Sequence, residues 1–472
     1  MTRALPPIIQ GGMGVAVSNW QLARAVSLRG QLGVVSATGI DTVLTRRLQD
    51  GDEGGHMRRA FDAFPFPEIA ERVWNLYHRK GGKPSGKAYK SKPLPMLRPS
   101  RAFLDLAVIA NFAEVYLAKE GHDGLIGLNR LEKIQLPTLA SLYGAMLAGV
   151  DYVLMGAGIP RHIPAVLASL ASLAPSTLPI DVFGVAPGQT VSAHFSPLEF
   201  AGPPPNPLTT PKFLAIIAST TLALTLARKC RPPVDGFVVE GPLAGGHNAG
   251  PRGPLTLDES GQPIYGPKDK PDLQKIGALG LPFWLAGSHG VRGKLESAQA
   301  QGAVGIQVGT AFAFCNESGL KPELKKELRN QIAEGTLTVF TDPRLSPTGY
   351  PFKTLQVAGS VSEPDVVARR KRICDLGYLR ELYMTPKGTV GYRCSGEPVE
   401  DYVRKGGDIA NTVGRTCVCN SLMATVGFAQ VRKGEVEPCL VTAGDDLSPV
   451  ADLLRQNGGA YSADDVIDML LS

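Results

Sequence analysis

The sequence predicts an α/β fold: a (β/α)8 TIM barrel with an insertion after its second strand and a helical C-terminal extension. Three observations predict it. Eight short β-branched runs are spaced along the chain before residue 310, helical stretches separate most of them, and several runs end in glycine-rich turns. Parallel strands joined by helical crossovers give that alternation, and barrel enzymes place their chemistry where such strands end. An open doubly wound sheet shows the same strand count, so count alone does not establish closure.

The strand candidates, in order, are Pro7–Gln10, Leu32–Ser36, Gly124–Asn129, Asp151–Met155, Ile180–Gly184, Gly236–Glu240, Pro282–Ala286 and Val304–Val308. Helices are expected at about 19–29, 102–120, 137–148, 160–172, 211–229, 291–301 and 321–333. Residues 1–340 are expected to form the barrel, with the insertion at about 50–101. That insertion holds a helical pattern, Glu68 to Tyr77, and then a basic Gly/Pro-rich tract, His78 to Arg101. The plain reading of the tract is a solvated loop; the alternatives are a lid or a docking surface for an acidic partner. Residues 341–472 are expected to form a mostly helical extension packed on the barrel, with helices at 363–383, 399–410, 411–430 and from Ser462 to Leu471 behind a Ser-Ala-Asp-Asp cap.

Composition narrows the function classes. A chain of 472 residues with 43% hydrophobic and 19% charged residues has material for a large core. Its formal charge of +6 suits an anionic ligand, and no motif for nucleic acid accompanies it. Seven cysteines without a secretory leader point to a reducing cytoplasm, and apolar runs near 15 residues fall short of a membrane span.

The sharpest feature is Gly236-Phe-Val-Val-Glu-Gly-Pro-Leu-Ala-Gly-Gly-His247, an apolar strand running into a small-residue turn that ends on one histidine. Imidazole exchanges protons near neutral pH, and glycine lets backbone approach a ligand closely, so His247 is the candidate catalytic residue. A lone histidine also serves structural roles. Gly11, Gly12, Met13 and Gly14 follow the first strand, where they either lie against a flat ring or make a tight connection. After the seventh and eighth strands stand Ala286-Gly-Ser-His-Gly290 and Gly309-Thr310, where barrels bind phosphate through backbone N–H groups. His289 and His194 read as structural or solvent-facing. Cys417-Val-Cys419 lacks a C-x-x-C partner, so buried thiols are expected and no metal. No G-x-G-x-x-G follows a strand, and neither a G-x-S-x-G elbow nor an H-E-x-x-H element is present.

Taken in order, Pro7-Ile-Ile-Gln-Gly-Gly-Met-Gly14, Gly127-Leu-Asn129, Ala244-Gly-Gly-His247, Ala286-Gly287 and Gly309-Thr310 resemble the nitronate monooxygenase family over about residues 5–340. Its members are FMN-binding TIM barrels related to flavin-dependent enoyl-acyl carrier protein reductases and to the reductase components of polyunsaturated fatty acid and polyketide synthases. The resemblance implies FMN contacts at Gly11, Gly12, Met13, Asn129, Gly245 and Gly246, phosphate contacts at Ala286, Gly287, Ser288, Gly309 and Thr310, and a catalytic or orienting role for His247. It implies oxidation of alkyl nitronates with dioxygen to a carbonyl compound and nitrite. The size of the insertion and extension resembles the synthase reductases. They imply an NAD(P)H-dependent 2-enoyl thioester reductase as the alternative, with an acyl carrier protein as partner at the basic tract. A noncatalytic flavoprotein or synthase scaffold is the reading outside enzyme classes.

Overall fold

The computed structural model describes residues 4–472. Its main sheet has eight parallel strands: β1 Ile8–Gln10, β2 Gly33–Ser36, β3 Ile126–Leu131, β4 Tyr152–Gly156, β5 Lys212–Ile217, β6 Gly236–Glu240, β7 Phe283–Ala286 and β8 Gly305–Val308. Each pairs with its neighbour in chain order, and β8 pairs with β1. The remaining seam, β1 against β2, is closed by Gln10 N to Leu32 O at 3.0 Å and Leu32 N to Ile8 O at 3.1 Å, so the sheet is a barrel rather than an open sheet. Ile9, Val34, Leu154, Leu214, Val238 and Trp284 pack together inside it as one apolar cluster. Alternation along each strand sends the other side chains outward to the helices, which is why both faces read as β-branched and apolar.

One predicted strand is wrong. The fifth barrel strand is Lys212–Ile217, not Ile180–Gly184. Lys212-Phe-Leu-Ala-Ile-Ile217 is a continuous apolar run, and a run buried on both faces has no period to separate strand from helix. The sequence pattern therefore merges it with the helix expected at 211–229, of which only Thr220–Lys229 is helical, capped by Ser219 Oγ accepting from Leu222 N at 3.1 Å. The Ile180 region lies outside the barrel. Ser176–Ile180 pairs antiparallel with Val191–Phe195, and Val182–Phe183 joins Glu381–Met384 in a separate sheet.

Between β2 and β3 stand helices Ile40–Gln49, His56–Asp62, Pro67–Tyr77 and Arg101–Lys119, with no helix or strand over residues 78–100. That tract is more than a solvated loop. Lys92 Nζ meets Asp41 at 2.7 Å with side chains 3% and 6% exposed, Tyr89 donates its hydroxyl to Asp50 at 2.7 Å, and Gln430 of the C-terminal region accepts from Tyr89 N.

The C-terminal region mixes helices with short strands. In place of the helix expected at 363–383 there is a short one, Pro364–Arg369, followed by a hairpin, Glu381–Met384 with Val390–Arg393. The hairpin turns through Thr385-Pro-Lys-Gly-Thr389, a turn signal that outweighs the helical reading. Helices Val399–Arg404 and Val418–Thr425 are shorter than expected, and Ser448–Gln456 was not foreseen. The last helix, Ala463–Leu471, has the expected cap: Ser462 Oγ accepts from Asp465 N at 3.2 Å and the Asp465 carboxylate accepts from Ser462 N at 2.7 Å. Tyr461 donates its hydroxyl to Ala311 O at 2.7 Å, tying this end to the barrel.

Candidate functional site

All twelve site residues selected from the sequence line one cavity of about 400 Å³ at the C-terminal ends of the barrel strands. On the β1 side, Ser18 organises the glycine turn: its Oγ donates to Gly11 O at 2.9 Å and accepts from Met13 N at 2.8 Å. Asn129, near the end of β3, donates Nδ2 to Gly12 O at 2.7 Å. A Cβ at Gly12 would lie 2.2 Å from Asn129 Cβ, so only glycine permits this approach.

The turn after β6 is braced by Asn248, which donates Nδ2 to Ala244 O at 2.6 Å and to Pro242 O at 3.2 Å. Gly246 sits at φ +74°, which places His247 beside Phe352 in a short antiparallel pairing. His247 Nε2 is 2.7 Å from Ser346 Oγ, which in turn is 2.9 Å from Thr348 Oγ1, and the imidazole meets the Phe352 ring edge-on at 4.6 Å. Burial pushes the imidazole down to about 4, so it is neutral at pH 7. At the other end of the same turn stands Glu240, whose carboxyl burial pushes up to about 7.

On the β7 and β8 side, Gly287 and Ser288 adopt φ of +89° and +54°. His289 Nδ1 lies 2.7 Å from Gly287 O, a turn-bracing role that agrees with a structural reading of this histidine. Thr310 Oγ1 accepts from Gly444 N at 2.9 Å and keeps its own proton to donate.

The C-terminal region reaches back into the cavity, which the sequence reading did not foresee. Thr442, Ala443, Gly444 and Asp446 line it, Asp445 N donates to Leu243 O at 3.1 Å, and Lys353 pairs with Asp445. The available signal was Val441-Thr-Ala-Gly-Asp445, an apolar residue running into small ones as at the barrel strand ends. Glu240, Gln307 and Asn248 were also missed, although each adjoins or lies within a strand-end motif.

Three buried acceptors lining the cavity have no hydrogen-bond partner among the described residues: Asn129 Oδ1, Asn248 Oδ1 and Gln307 Oε1. Buried polar atoms are nearly always satisfied, so these call for N–H or O–H donors from a ligand. Small residues, Gly11, Gly12, Gly245 and Gly287 among them, line the cavity and keep side chains out of it. These unpartnered acceptors, small lining residues and glycine turns fit a flavin, with the backbone N–H groups after β7 and β8 as the groups that would take its phosphate.

The wider chain adds few competing features. All seven cysteines are free, no group of His, Cys, Asp or Glu among the described residues is set to hold a metal ion, and no described helix is long and apolar enough to cross a membrane.

Residues 185–356 match the family model described as nitronate monooxygenase, a segment that contains His247 and both glycine turns of the phosphate side. No curated protein matches. Among solved structures, the chain resembles FabK from Thermotoga maritima, with 15% identity over 99% of this chain and 92% of that one and a TM-score of 0.47. It also resembles a nitroalkane oxidase from Streptomyces ansochromogenes, with 17% identity over 99% and 95% and a TM-score of 0.42. A third likeness is the enoyl reductase domain of MlnA from the macrolactin biosynthesis cluster of Bacillus amyloliquefaciens, with 11% identity over 98% and 93% and a TM-score of 0.45.

Proposed function

We propose that this chain, an oxidoreductase of the flavin-dependent class, binds FMN in the barrel cavity and oxidises alkyl nitronates with dioxygen to a carbonyl compound and nitrite. The observation that carries the reading is His247: a neutral, half-buried imidazole held by Ser346, inside the segment that matches the nitronate monooxygenase family. A nitronate is an anion with charge on its oxygens. With Ser346 donating to Nε2, His247 carries its proton on Nδ1, a donor suited to a nitro oxygen. Phe352 packs on the ring and fixes its plane, so the donor is oriented before substrate arrives.

Gly11, Gly12, Met13, Asn129, Gly245 and Gly246 would hold the ring and ribityl portions of FMN, and Ala286, Gly287, Ser288, Gly309 and Thr310 its phosphate. The bound flavin supplies the redox chemistry between substrate and acceptor. The chain's own work is to bind, orient and limit water. The free thiols suit a reducing cytoplasm.

Glu240 favours the alternative activity, NAD(P)H-dependent reduction of a 2-enoyl thioester, because that reaction needs a proton at the α-carbon and oxidation of a preformed nitronate does not. An acyl carrier protein would then be the partner. Replacing His247 with Asn tests the leading reading. Nitronate turnover should fall by roughly 10²–10³-fold with FMN still bound, the cost of losing one positioned donor, and unchanged turnover with wild-type FMN content would reject the role given to His247.

A further inference from the structure

We propose that Glu240 is the proton-exchanging group of the cavity: its carboxyl, rather than the His247 imidazole, gives a proton to the bound substrate or takes one from it. The inference rests on the reading of the cavity as a flavin-dependent active site and adds a residue to it.

The carboxyl belongs to the last residue of β6, where the strand opens into the cavity, and it pairs in register with Ala286 on the neighbouring strand. From there the chain turns through six residues to His247, so the two groups bracket one turn. Glu240 is held by no hydrogen bond or ion pair among the described residues, and burial alone perturbs it. The other titratable side chains lining the cavity are Arg130, His247, His289, Tyr350 and Asp446, and none of them moves Glu240 electrostatically. Two of these are already engaged: Arg130 donates to Ile134 O, and His289 braces the Gly287 turn.

An acid that exchanges protons in turnover works best with its pKa near the working pH, and Glu240 is pushed up to about 7. His247 is pushed down to about 4 and holds almost no proton to give as imidazolium at neutral pH. Its Nε2 is also occupied by Ser346. A division of labour follows in which His247 orients and Glu240 exchanges. In the acid direction the carboxyl O–H breaks, the proton forms a C–H bond at a substrate carbon bearing negative charge, and water refills the carboxylate. The base direction is the reverse, and neither needs an oxidant.

Two measurements on the full-length protein test this. The first is infrared titration of the carboxyl C=O band of the protein as purified, in wild type, E240Q and H247N. A protonated-carboxyl band that disappears near pH 7 in wild type and H247N and is missing in E240Q supports the inference. A wild type without such a band, or an E240Q that keeps it, overturns it. The second is the pH profile of kcat for enoyl thioester reduction, the reaction of the two that places a proton on carbon. E240Q should lose roughly 10²–10⁴-fold and the limb near pH 7, E240D should recover part of both, and H247N should keep the limb. A limb retained in E240Q overturns the inference. Failure of both nitronate and enoyl thioester to react would count against the proposed function, and the infrared result would still decide whether Glu240 stores a proton.

Discussion

Replacing Glu240 by Gln should stabilise the folded chain at alkaline pH and leave it unchanged at acid pH. The side chain keeps its shape and loses only its ability to ionise. In the unfolded chain the carboxyl titrates at its ordinary value of 4.5, whereas burial raises it to about 7 in the folded state. The folded state therefore holds the proton more tightly. Its advantage is full below pH 4.5, declines as pH rises and is gone once pH has passed about 7. At about 1.4 kcal/mol per pH unit the loss comes to ~3 kcal/mol, an upper figure because the cavity admits water. For a chain of 472 residues the unfolding entropy is about 1 kcal/mol/K, so ~3 kcal/mol is a shift of about 3 °C in Tm. The assay is thermal and urea unfolding of flavin-free wild type and E240Q at pH 4 and pH 8. A gap that is absent at pH 4 and opens at pH 8 in favour of E240Q fits the reasoning; an equal gap at both, or a destabilised E240Q at pH 8, refutes it.

Other outcomes follow from the same geometry. His247 behaves in the opposite sense: its folded value of about 4 lies below its ordinary 6.5, so it costs stability as pH falls from 6.5 through about 4. H247N should lack that acid-side loss when urea midpoints are compared at pH 7 and pH 4. Gly12→Ala drives a Cβ into Asn129 and should purify with less than about a tenth of the wild-type flavin, read from absorbance; wild-type flavin content would show that the turn can shift freely. Ser346→Ala removes the hydrogen bond to half-buried His247 Nε2, at a cost of about 1 kcal/mol, and should lower kcat more than it raises KM in steady-state kinetics. In the basic tract, Lys92→Met leaves buried Asp41 without its cation, held only by the Tyr378 hydroxyl, and should cost about 3 kcal/mol in urea unfolding, whereas Lys87→Met should stay within about 0.5. A test of acidic-partner docking therefore belongs with exposed Lys87 and Lys90 and omits Lys92.

Much of the barrel was legible because parallel strands buried on both faces leave short β-branched runs, and the turns that end them carry glycine. Seven of the eight strands were found that way. The fifth was missed because Lys212–Ile217 adjoins a helical stretch without a break in polarity, and nothing local distinguishes a doubly buried strand from the start of a helix. The site was legible where backbone must approach a ligand, since only small residues fit there, and all twelve selected residues meet in one cavity. Glu240 and Gln307 were hidden for the opposite reason. They stand at strand ends where a polar residue reads as the edge of the apolar run, and only closure of the barrel aims them at a common space. Thr442–Asp446 was hidden because its approach to Thr310 and Leu243 depends on contacts across more than 100 residues of sequence, which no local pattern encodes.

The central claim is that this cavity holds a flavin, and the visible absorbance of the purified full-length chain, before and after addition of FMN and removal of the excess, tests it most directly. The account predicts a retained flavin spectrum at close to one FMN per chain, lost in Gly12→Ala. A wild-type chain that stays colourless after FMN is supplied at saturating concentration would contradict it.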